Sequence, residues 1–567
     1  MHQPADQPRP SLYYRYQVFD SAPPPADPGI VPALVVGAGP IGLTTALGLA
    51  QQGVRCVVLE AERQVSEGSR AIVFTRRSME ILQQAGAAHA VQRMGLPWRH
   101  GNSYYRGQPV FRMEAPHSDD ERYAPMTNLQ QQYLEEFLLD AVARQPLIEL
   151  RWGHQVSALH RHDEQGVELE IDTPQGPYTQ AALWVVAADG ARSTLRSLCG
   201  LKLEGAAYEG RFVIADIRID LPLPTERLAF FDPGWNPGNT VLMHREPHGI
   251  WRIDYQLPPG ETPEQALQPA SMKARIDAQL AAIGHAGLPW QMDWSSVYSA
   301  RALTLPDYVH QRIAFVGDAA HLLPIFGVRG ANTGLQDAQN LAWKLGLVLR
   351  GLAGPALLPS YSAERVAAAR EIIDEAGKST RFMTPPTRGF RLLRDAVLSL
   401  SLTQAFVRPL YHWRTSRPHA YGHSALNAPD DDSALFTAGP APGAPLPNGR
   451  LGDDAYLLDA LCGEAAGHFT LLIQGDPPDA GVLACVQRWQ QRGVPLPVIQ
   501  LAAHGVPPAL GVRRVLADAD GRLQQRLGLP AAGGAYLLRP DQHVCGRWHA
   551  LSADQLDRAL HQALGQP

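Results

Sequence analysis

Apolar and polar positions change their rhythm several times along the chain. Ala33 to Val36 is a short, uninterrupted apolar run of the kind that forms a buried strand, and it is followed by helical spacing through Leu43, Leu47 and Ala50. Gly53 stands where that helix would stop, and Cys56 to Glu60 reads as a second strand. Further helices are predicted around Met79, Ile81 and Leu82, and around Tyr133, Leu134, Phe137, Leu138 and Ala141, which share one face. Residues 148–186 read as strands separated by turns, the last of them apolar throughout and ending at Asp189-Gly190. From about 210 to 305 the period falls to two, with Pro/Gly turns, which predicts an antiparallel sheet with a short helix over 265–284. Ile313 to Val316 is a buried strand again, ended by Gly317-Asp318; a loop with Pro324, Gly327 and Gly330 then leads into a helix from about Gly334 through Leu349. Residues 360–412 read as helices broken at 385–389, and 417–449, rich in Pro, Gly and Ala, reads as a linker. The remaining tail alternates short apolar strands with helices and ends on a helix over 552–564.

The first of these rhythms is a βαβ unit, and Gly37, Gly39 and Gly42 sit in it at G-x-G-x-x-G spacing. The first glycine permits a tight turn, the second lets the backbone approach a pyrophosphate, and the third lets helix pack on strand. The N–H groups of the helix start then face the phosphates. Glu60, ending the second strand, suits a ribose hydroxyl and favours FAD or NAD over a 2′-phosphorylated nucleotide. Arg70 follows soon after, where a guanidinium can reach a bound cofactor or simply be solvated. Asp189-Gly190 can be a turn and nothing more. Asp318, however, stands at the carboxyl end of a strand, where ligands sit in doubly wound sheets. The glycine-rich start of the helix that follows suits an anion or developing negative charge. His321 is read as a satisfied loop histidine. Arg252 and Tyr255, on a strand of the antiparallel region, are candidates for binding a carboxylate or phenol; their spacing of three puts them on opposite faces, so one at most lies in a pocket.

Composition narrows the class. A net charge of −5 and a pI of about 6.5 argue against a nucleic-acid or anionic-membrane partner. The five cysteines are scattered without a C-x-x-C and fit a reducing compartment, with neither a disulfide framework nor a metal site. No stretch approaches 18 uninterrupted apolar residues and no secretory h-region stands at the start, so a soluble cytoplasmic protein is expected.

The glycine motif with Glu60, the run Asp189-Gly190-Ala191-Arg192-Ser193 and the run Gly317-Asp318-Ala319-Ala320-His321 with Pro324 together resemble the FAD-dependent aromatic hydroxylases. These are the single-component flavoprotein monooxygenases of the para-hydroxybenzoate hydroxylase fold. The stretches WRIDYQLPPGE and NTGLQDAQNLAWKL resemble the branch with 3-(3-hydroxyphenyl)propionate hydroxylase, phenol hydroxylase and pentachlorophenol monooxygenase. The resemblance implies an α/β chain: a Rossmann-type FAD-binding domain, an antiparallel-sheet substrate domain and a C-terminal thioredoxin-like domain. On this basis 1–30 is a flexible N-terminal segment and 31–385 the FAD-binding domain, with the substrate domain interleaved at about 100–128 and 205–305. A helical segment and linker (386–449) and the thioredoxin-like domain (450–567) follow. Without a C-x-x-C, that last domain is expected to be structural or dimerising.

The resemblance further implies FAD as cofactor, NAD(P)H as co-substrate visiting from outside, O₂, and a phenolic or other aromatic substrate hydroxylated through a flavin C4a-hydroperoxide. A homodimer is within its range. It assigns the pyrophosphate to Gly37, Gly39 and Gly42, the adenosine ribose to Glu60, and FAD contacts to Arg70 and Gln131. Asp189 is implied in FAD and NAD(P)H contacts and Asp318 in the ribityl side. The segment from Pro324 through Gly330 to Asn332 is implied to run along the isoalloxazine ring. Many relatives carry Gly-Gln where this chain has Val328-Arg329. Two other classes remain open at this point: another flavoenzyme on the same fold, such as an epoxidase or a Baeyer–Villiger-type enzyme, and a non-catalytic FAD- or NAD-sensing protein. A flavin halogenase would carry W-x-W-x-I-P, which is absent.

Overall fold

Ala33, Leu34 and Val35 offer water nothing but backbone, and strand Ile30–Val36 accordingly becomes the buried centre of the first sheet. The computed structural model describes residues 4–566 except 69, 259, 325, 412–416, 437, 452–454, 464–465, 504–507 and 531–532. In it, Ile30–Val36 pairs in parallel with Cys56–Glu60 on one side and Tyr178–Ala187 on the other, with Ile148–Trp152 and Ile313–Phe315 continuing the parallel sheet outward. Parallel strands must be covered by helices. Helix Pro40–Gln51 lies between Gln131–Ala143 and Gly330–Leu349. Its approach to the last is close: a Cβ on Gly48 would meet that of Ala342 at 2.6 Å.

The period-two region forms an eight-stranded sheet running, edge to edge, through 321–322, 291–304, 204–218, 250–256, 240–246, 227–231, 100–105 and 108–114. One face, with Val213, Met243, Ile253 and Tyr255, packs on Ile276 and Leu280 of helix Pro269–Ala282. The opposite face, with Phe212, Ala229, Phe231 and Leu242, packs on Phe326, Phe382 and Leu398 and so looks toward the first sheet's loops.

The tail forms a five-stranded sheet in the order 514–517, 498–502, 470–474, 534–538, 544–548. The first three strands are parallel and the last two antiparallel, with separate apolar clusters on its two faces. Cys462, Cys485 and Cys545 are free, and burial pushes their thiols up to about 12, 11 and 12, which leaves them unreactive.

Two expectations change. Residues 4–29 are not a flexible segment. Tyr14 and Tyr16 are buried, Phe19 stacks on Trp152 at 4.3 Å between ring centroids, and the Ser11 hydroxyl and Leu12 N–H donate to Asp293. Four aromatic side chains within seven positions give this Pro-rich stretch enough apolar area to hold it down. Nor is 417–449 a free linker. Ala428, Gly443 and Leu446 donate backbone hydrogen bonds to Cys545, Val544 and Gln542, closing the edge of the tail's sheet.

The tail is joined to the rest through buried charge. Arg539 donates to both oxygens of Glu364 at 2.8 and 2.9 Å and to Asp541 at 2.6 Å, while Lys344 reaches Glu364 at 2.8 Å. Burial opposes the Glu364 carboxylate, but Arg539 and Lys344 outweigh it and hold its pKa far below the usual range. Removing one partner of such a group leaves an uncompensated buried charge. Glu364→Gln is therefore expected to lower unfolding stability at neutral pH by about 3–5 kcal/mol. A depressed carboxylate stabilises above its unfolded pKa, so the gap between parent and variant should close as pH falls below about 4.3. Urea unfolding across that pH range measures both.

Candidate functional site

The loop after the first strand shows why glycine is required there. Gly37 has φ +109°, and a Cβ on it would lie 2.4 Å from the Ala188 carbonyl oxygen; one on Gly42 would lie 1.9 Å from the Gly37 oxygen. A Cβ on Gly39 would meet nothing within 4 Å, so that side of the backbone borders open space. Helix Pro40–Gln51 starts at that point without a side-chain cap, leaving first-turn N–H groups for a phosphate. Glu60 accepts the Ala38 N–H at 2.7 Å and the Glu62 N–H at 2.9 Å, which ties the loop to the strand end. Burial raises its pKa despite those bonds. Each oxygen retains a lone pair for a ribose hydroxyl.

Asp318, in the turn Gly317–Ala319, is accessible to solvent yet hemmed in closely enough that desolvation raises its pKa; His321, Arg70 and Arg196 pull the other way. That combination describes a carboxylate lining a deep cleft. Arg70, exposed, is thus close enough to Asp318 to act on it electrostatically. Gln131 works on the same loop from behind: its amide accepts the Ala71 N–H at 3.1 Å and donates to Ser66 and Glu135 at 3.2 and 2.8 Å. Asp189 accepts the Leu195 N–H at 3.0 Å in the first turn of the short helix that Ser193 caps, and its other oxygen is buried with no hydrogen-bond partner among the described residues. Arg196 donates to the Ala191 and Ala319 carbonyls at 2.8 and 3.0 Å and stitches the two aspartate loops together.

Pro324 is buried at the start of the ring-side loop; residue 325 lies outside the described residues. Gly327 and Val328 both have positive φ, +97° and +56°. For a β-branched residue that is strained backbone, so the departure from Gly-Gln has a structural cost at Val328. Gly330 opens helix Gly330–Leu349 with nothing within 4 Å of its would-be Cβ. The Asn332 side chain is engaged elsewhere: it accepts from Thr75 N–H and Ser78 hydroxyl and donates to the Val73 and Val328 carbonyls. Only its backbone is left to face a ligand. His321 is only half satisfied: Nε2 is bonded to Asp337 at 2.7 Å, while Nδ1 is buried with no hydrogen-bond partner among the described residues; Asp337 also accepts the Gly317 N–H at 3.1 Å and meets Arg365 at 2.6 Å. Burial would raise the Asp337 pKa, but Arg365 and His321 hold it low. Open space at Gly39 and Gly330, the orphaned Asp189 oxygen and the cleft-lining Asp318 all suit an elongated dinucleotide with a flavin at the far end.

The two substrate-sheet candidates are corrected. Tyr255 is on the face packed against helix Pro269–Ala282, beneath Trp235 and the Arg275 guanidinium, and faces away from the cleft. Arg252 is on the cleft side, but Asp216 grips its guanidinium with both oxygens at 2.8 Å and Glu246 stands 3.7 Å away. It is already matched by carboxylates and is not open to one from a substrate. Reading a single strand could not show this, because Asp216 is contributed by the neighbouring strand. A cavity of about 950 Å³ lined by Pro359, Glu371, His423 and His561 shares none of these residues.

Comparison with known proteins agrees with this geometry. The FAD binding domain family model matches residues 30–376. A 3-(3-hydroxy-phenyl)propionate/3-hydroxycinnamic acid hydroxylase of Paraburkholderia xenovorans (strain LB400) is 29% identical over 564 residues, covering 90% of this chain and 88% of its own. The flavin-dependent monooxygenase PieE, solved with FAD and substrate, superposes with a TM-score of 0.80 at 27% identity, over 96% of this chain and 100% of its own. Aklavinone-11 hydroxylase, solved with FAD and aklavinone, gives 0.74 at 25% identity, over 94% and 99%. The chain belongs to the FAD binding domain family, and FAD is its cofactor.

Proposed function

We propose that the protein is an FAD-dependent monooxygenase that hydroxylates a phenolic ring, using NAD(P)H and O₂. The observation that carries the reading is a buried sheet face bearing polar groups beneath the loop after Pro324, on the side of the glycine-motif and Asp318 loops. Bound FAD supplies the oxygen-activating redox chemistry. The chain's own residues bind, orient and exclude water. Gly37, Gly39 and Gly42 with the start of helix Pro40–Gln51 hold the pyrophosphate, and Glu60 holds the adenosine ribose. Asp318 receives the ribityl hydroxyls, with Arg70 and Asp189 at the cleft's rim. Gln131 sets the Arg70 loop, and Pro324, Gly330 and the backbone of Asn332 bound the ring. No second nucleotide fold is seen among the described residues, so NAD(P)H approaches from outside. Aromatic substrates in the relatives' names and structures support a phenol here. Among the described residues no helix is long and apolar enough to cross a membrane; with the free, unreactive thiols this supports a cytoplasmic setting. The reading requires one chain and does not depend on a homodimer.

Glu60→Ala should weaken FAD binding by about 1.5–3 kcal/mol through loss of a charge-assisted hydrogen bond, read by titrating apoprotein with FAD; unchanged affinity would remove the ribose assignment. NAD(P)H oxidation should be slow alone and rise about tenfold or more with the right phenol, equivalent to roughly 1.4 kcal/mol off the barrier. One atom from labelled O₂ should appear on the ring. Label arriving from water would rule out monooxygenation.

A further inference from the structure

The cleft-side face of the eight-stranded sheet can be read row by row from its register. Asp254 lies opposite Ile214 and Leu242, Leu242 opposite Ala229, and Ala229 opposite Ser103. The row on one side runs through Asp216, Arg252 and His244. The row on the other side runs through Tyr298, Phe212 and Gln256. Alternate residues share a face, so all three rows look the same way. Phe326 of the ring-side loop meets Phe212 edge-on at 5.4 Å and packs with Leu242 and Ala229, and Tyr298 is close enough to Asp318 to feel its charge. Neighbouring rows are two residues apart, about 7 Å. The Asp254 row therefore lies under the loop that bounds the flavin ring.

Several polar atoms on this face are buried without a hydrogen-bond partner among the described residues: Asp254 Oδ1, His244 Nδ1, Ser103 Oγ and both Glu246 carboxylate oxygens. Their residues are 9%, 5%, 1% and 1% exposed. Each such group costs about 1–3 kcal/mol when left unpartnered, and a polar ligand bound on this face would satisfy them. The groups are not equivalent. Asp216 is held by Arg252 through both oxygens. Glu246 lies four strand positions beyond the Asp254 row's partner Leu242, toward the N-terminal segment, where it acts on Tyr13. His244 is kept neutral, its pKa driven well below the usual value by burial and by Arg227 and Arg252. Gln256 Oε1, opposite Phe212, and Ser103 Oγ, at the far end of the Asp254 row, are open too, but neither an amide nor a hydroxyl is a base; Asp254 is the carboxylate that combines nearness to the ring-side loop with an open oxygen.

We propose that Asp254 is the catalytic base that takes the proton from the phenolic hydroxyl of the substrate. This rests on the monooxygenase reading above. The phenol O–H bond breaks, the proton goes to Asp254 Oδ1, and the bonding pair stays on oxygen, enriching the ring carbons that receive the oxygen atom. Asp254 thereby loses a buried charge, and the proton leaves to solvent after product departs. The charged and titratable groups around Asp254 are Arg252 on its own strand, Asp216, Arg227 on strand 227–231, and Glu246 and His244 on strand 240–246. Burial lifts its pKa to about 7, Arg252 and Arg227 lower it and Asp216 raises it, so it can both accept and release a proton near neutrality.

The test uses the FAD-loaded full chain with phenol, catechol, resorcinol and 3-(3-hydroxyphenyl)propionate. If none of them stimulates NAD(P)H oxidation by the parent, the monooxygenase reading falls and Asp254's role falls with it. If one does, Asp254→Asn should yield about 100-fold less hydroxylated product or lower at neutral pH. The NAD(P)H it consumes should end as hydrogen peroxide, and product should recover as pH approaches the phenol's own pKa. The ultraviolet difference spectrum of bound phenolate, present with the parent, should be absent, and Asp254→Glu should restore part of the yield. A carboxyl whose folded pKa is raised makes the parent less stable as pH rises from about 4 to 7; the Asn variant should escape that loss and melt no lower than the parent at pH 8. Parental product yield and pH profile in Asp254→Asn would overturn the proposal. So would loss of FAD and fold in both variants, which would make the carboxyl structural.

Discussion

Helix Gly330–Leu349 is buried along almost its whole length, yet it carries Asn332, Thr333, Gln336, Asp337, Gln339, Asn340 and Lys344. A polar group taken from water must find a partner or the fold loses stability, so most of these side chains dictate where some other part of the chain goes; the Thr333 hydroxyl has no partner among the described residues. Asn332 fixes strand Val73–Thr75, and Asp337 fixes His321, Gly317 and Arg365. Lys344 and Asn340 fix Glu364, and through it Arg539 of the tail. The cofactor loops, the substrate sheet's ring-side cover and the C-terminal domain thus share one scaffold. Movement of the tail relative to the cleft would have to break ion pairs that no water can replace.

That scaffold also gives a contrast with diagnostic value. Around Glu364 and Asp337 the charges are closed among themselves, carboxylate against guanidinium, ammonium and imidazole. On the cleft face of the substrate sheet Arg252 and Asp216 are closed in the same way, but Asp254, His244, Ser103 and Glu246 keep open atoms. His321 Nδ1, Thr333 Oγ1 and Asn340 Oδ1 in the scaffold are open as well, so an open atom points to function only where it lies beside the cofactor loops.

The glycine motif, Asp189 and Asp318 were legible in the sequence because their geometry is local: a turn, a close approach and a strand end are specified within a few residues. The same holds for the strands and helices of the tail. What escaped depends on register and on distant partners. Arg252 reads as a free cation until Asp216, from another strand, is seen beside it. Tyr255 reads as a pocket residue until helix Pro269–Ala282 covers its face. Arg196 and Asp337 do their work across loops more than a hundred residues apart or inside a helix, and nothing in the spacing around them announces it. The aromatic content of residues 13–19 was the one available sign that the N-terminal stretch would be held, and the prolines around it concealed that sign.

The strand order of the first sheet has a temporal consequence. Ile30–Val36 is among the earliest strands made, but its neighbour Tyr178–Ala187 follows about a hundred and fifty residues later, and the helix that covers this region ends at Leu349. At 5–20 residues per second, roughly 15–65 s separate the end of strand Ile30–Val36 from the end of that helix. Until then the hydrophobic centre of the cofactor domain exists as an incomplete sheet with an open edge, a template for wrong pairing. A protein with this topology relies on slow synthesis being matched by protection of the nascent strand, and the interleaving that builds a cleft from distant segments is what creates the delay.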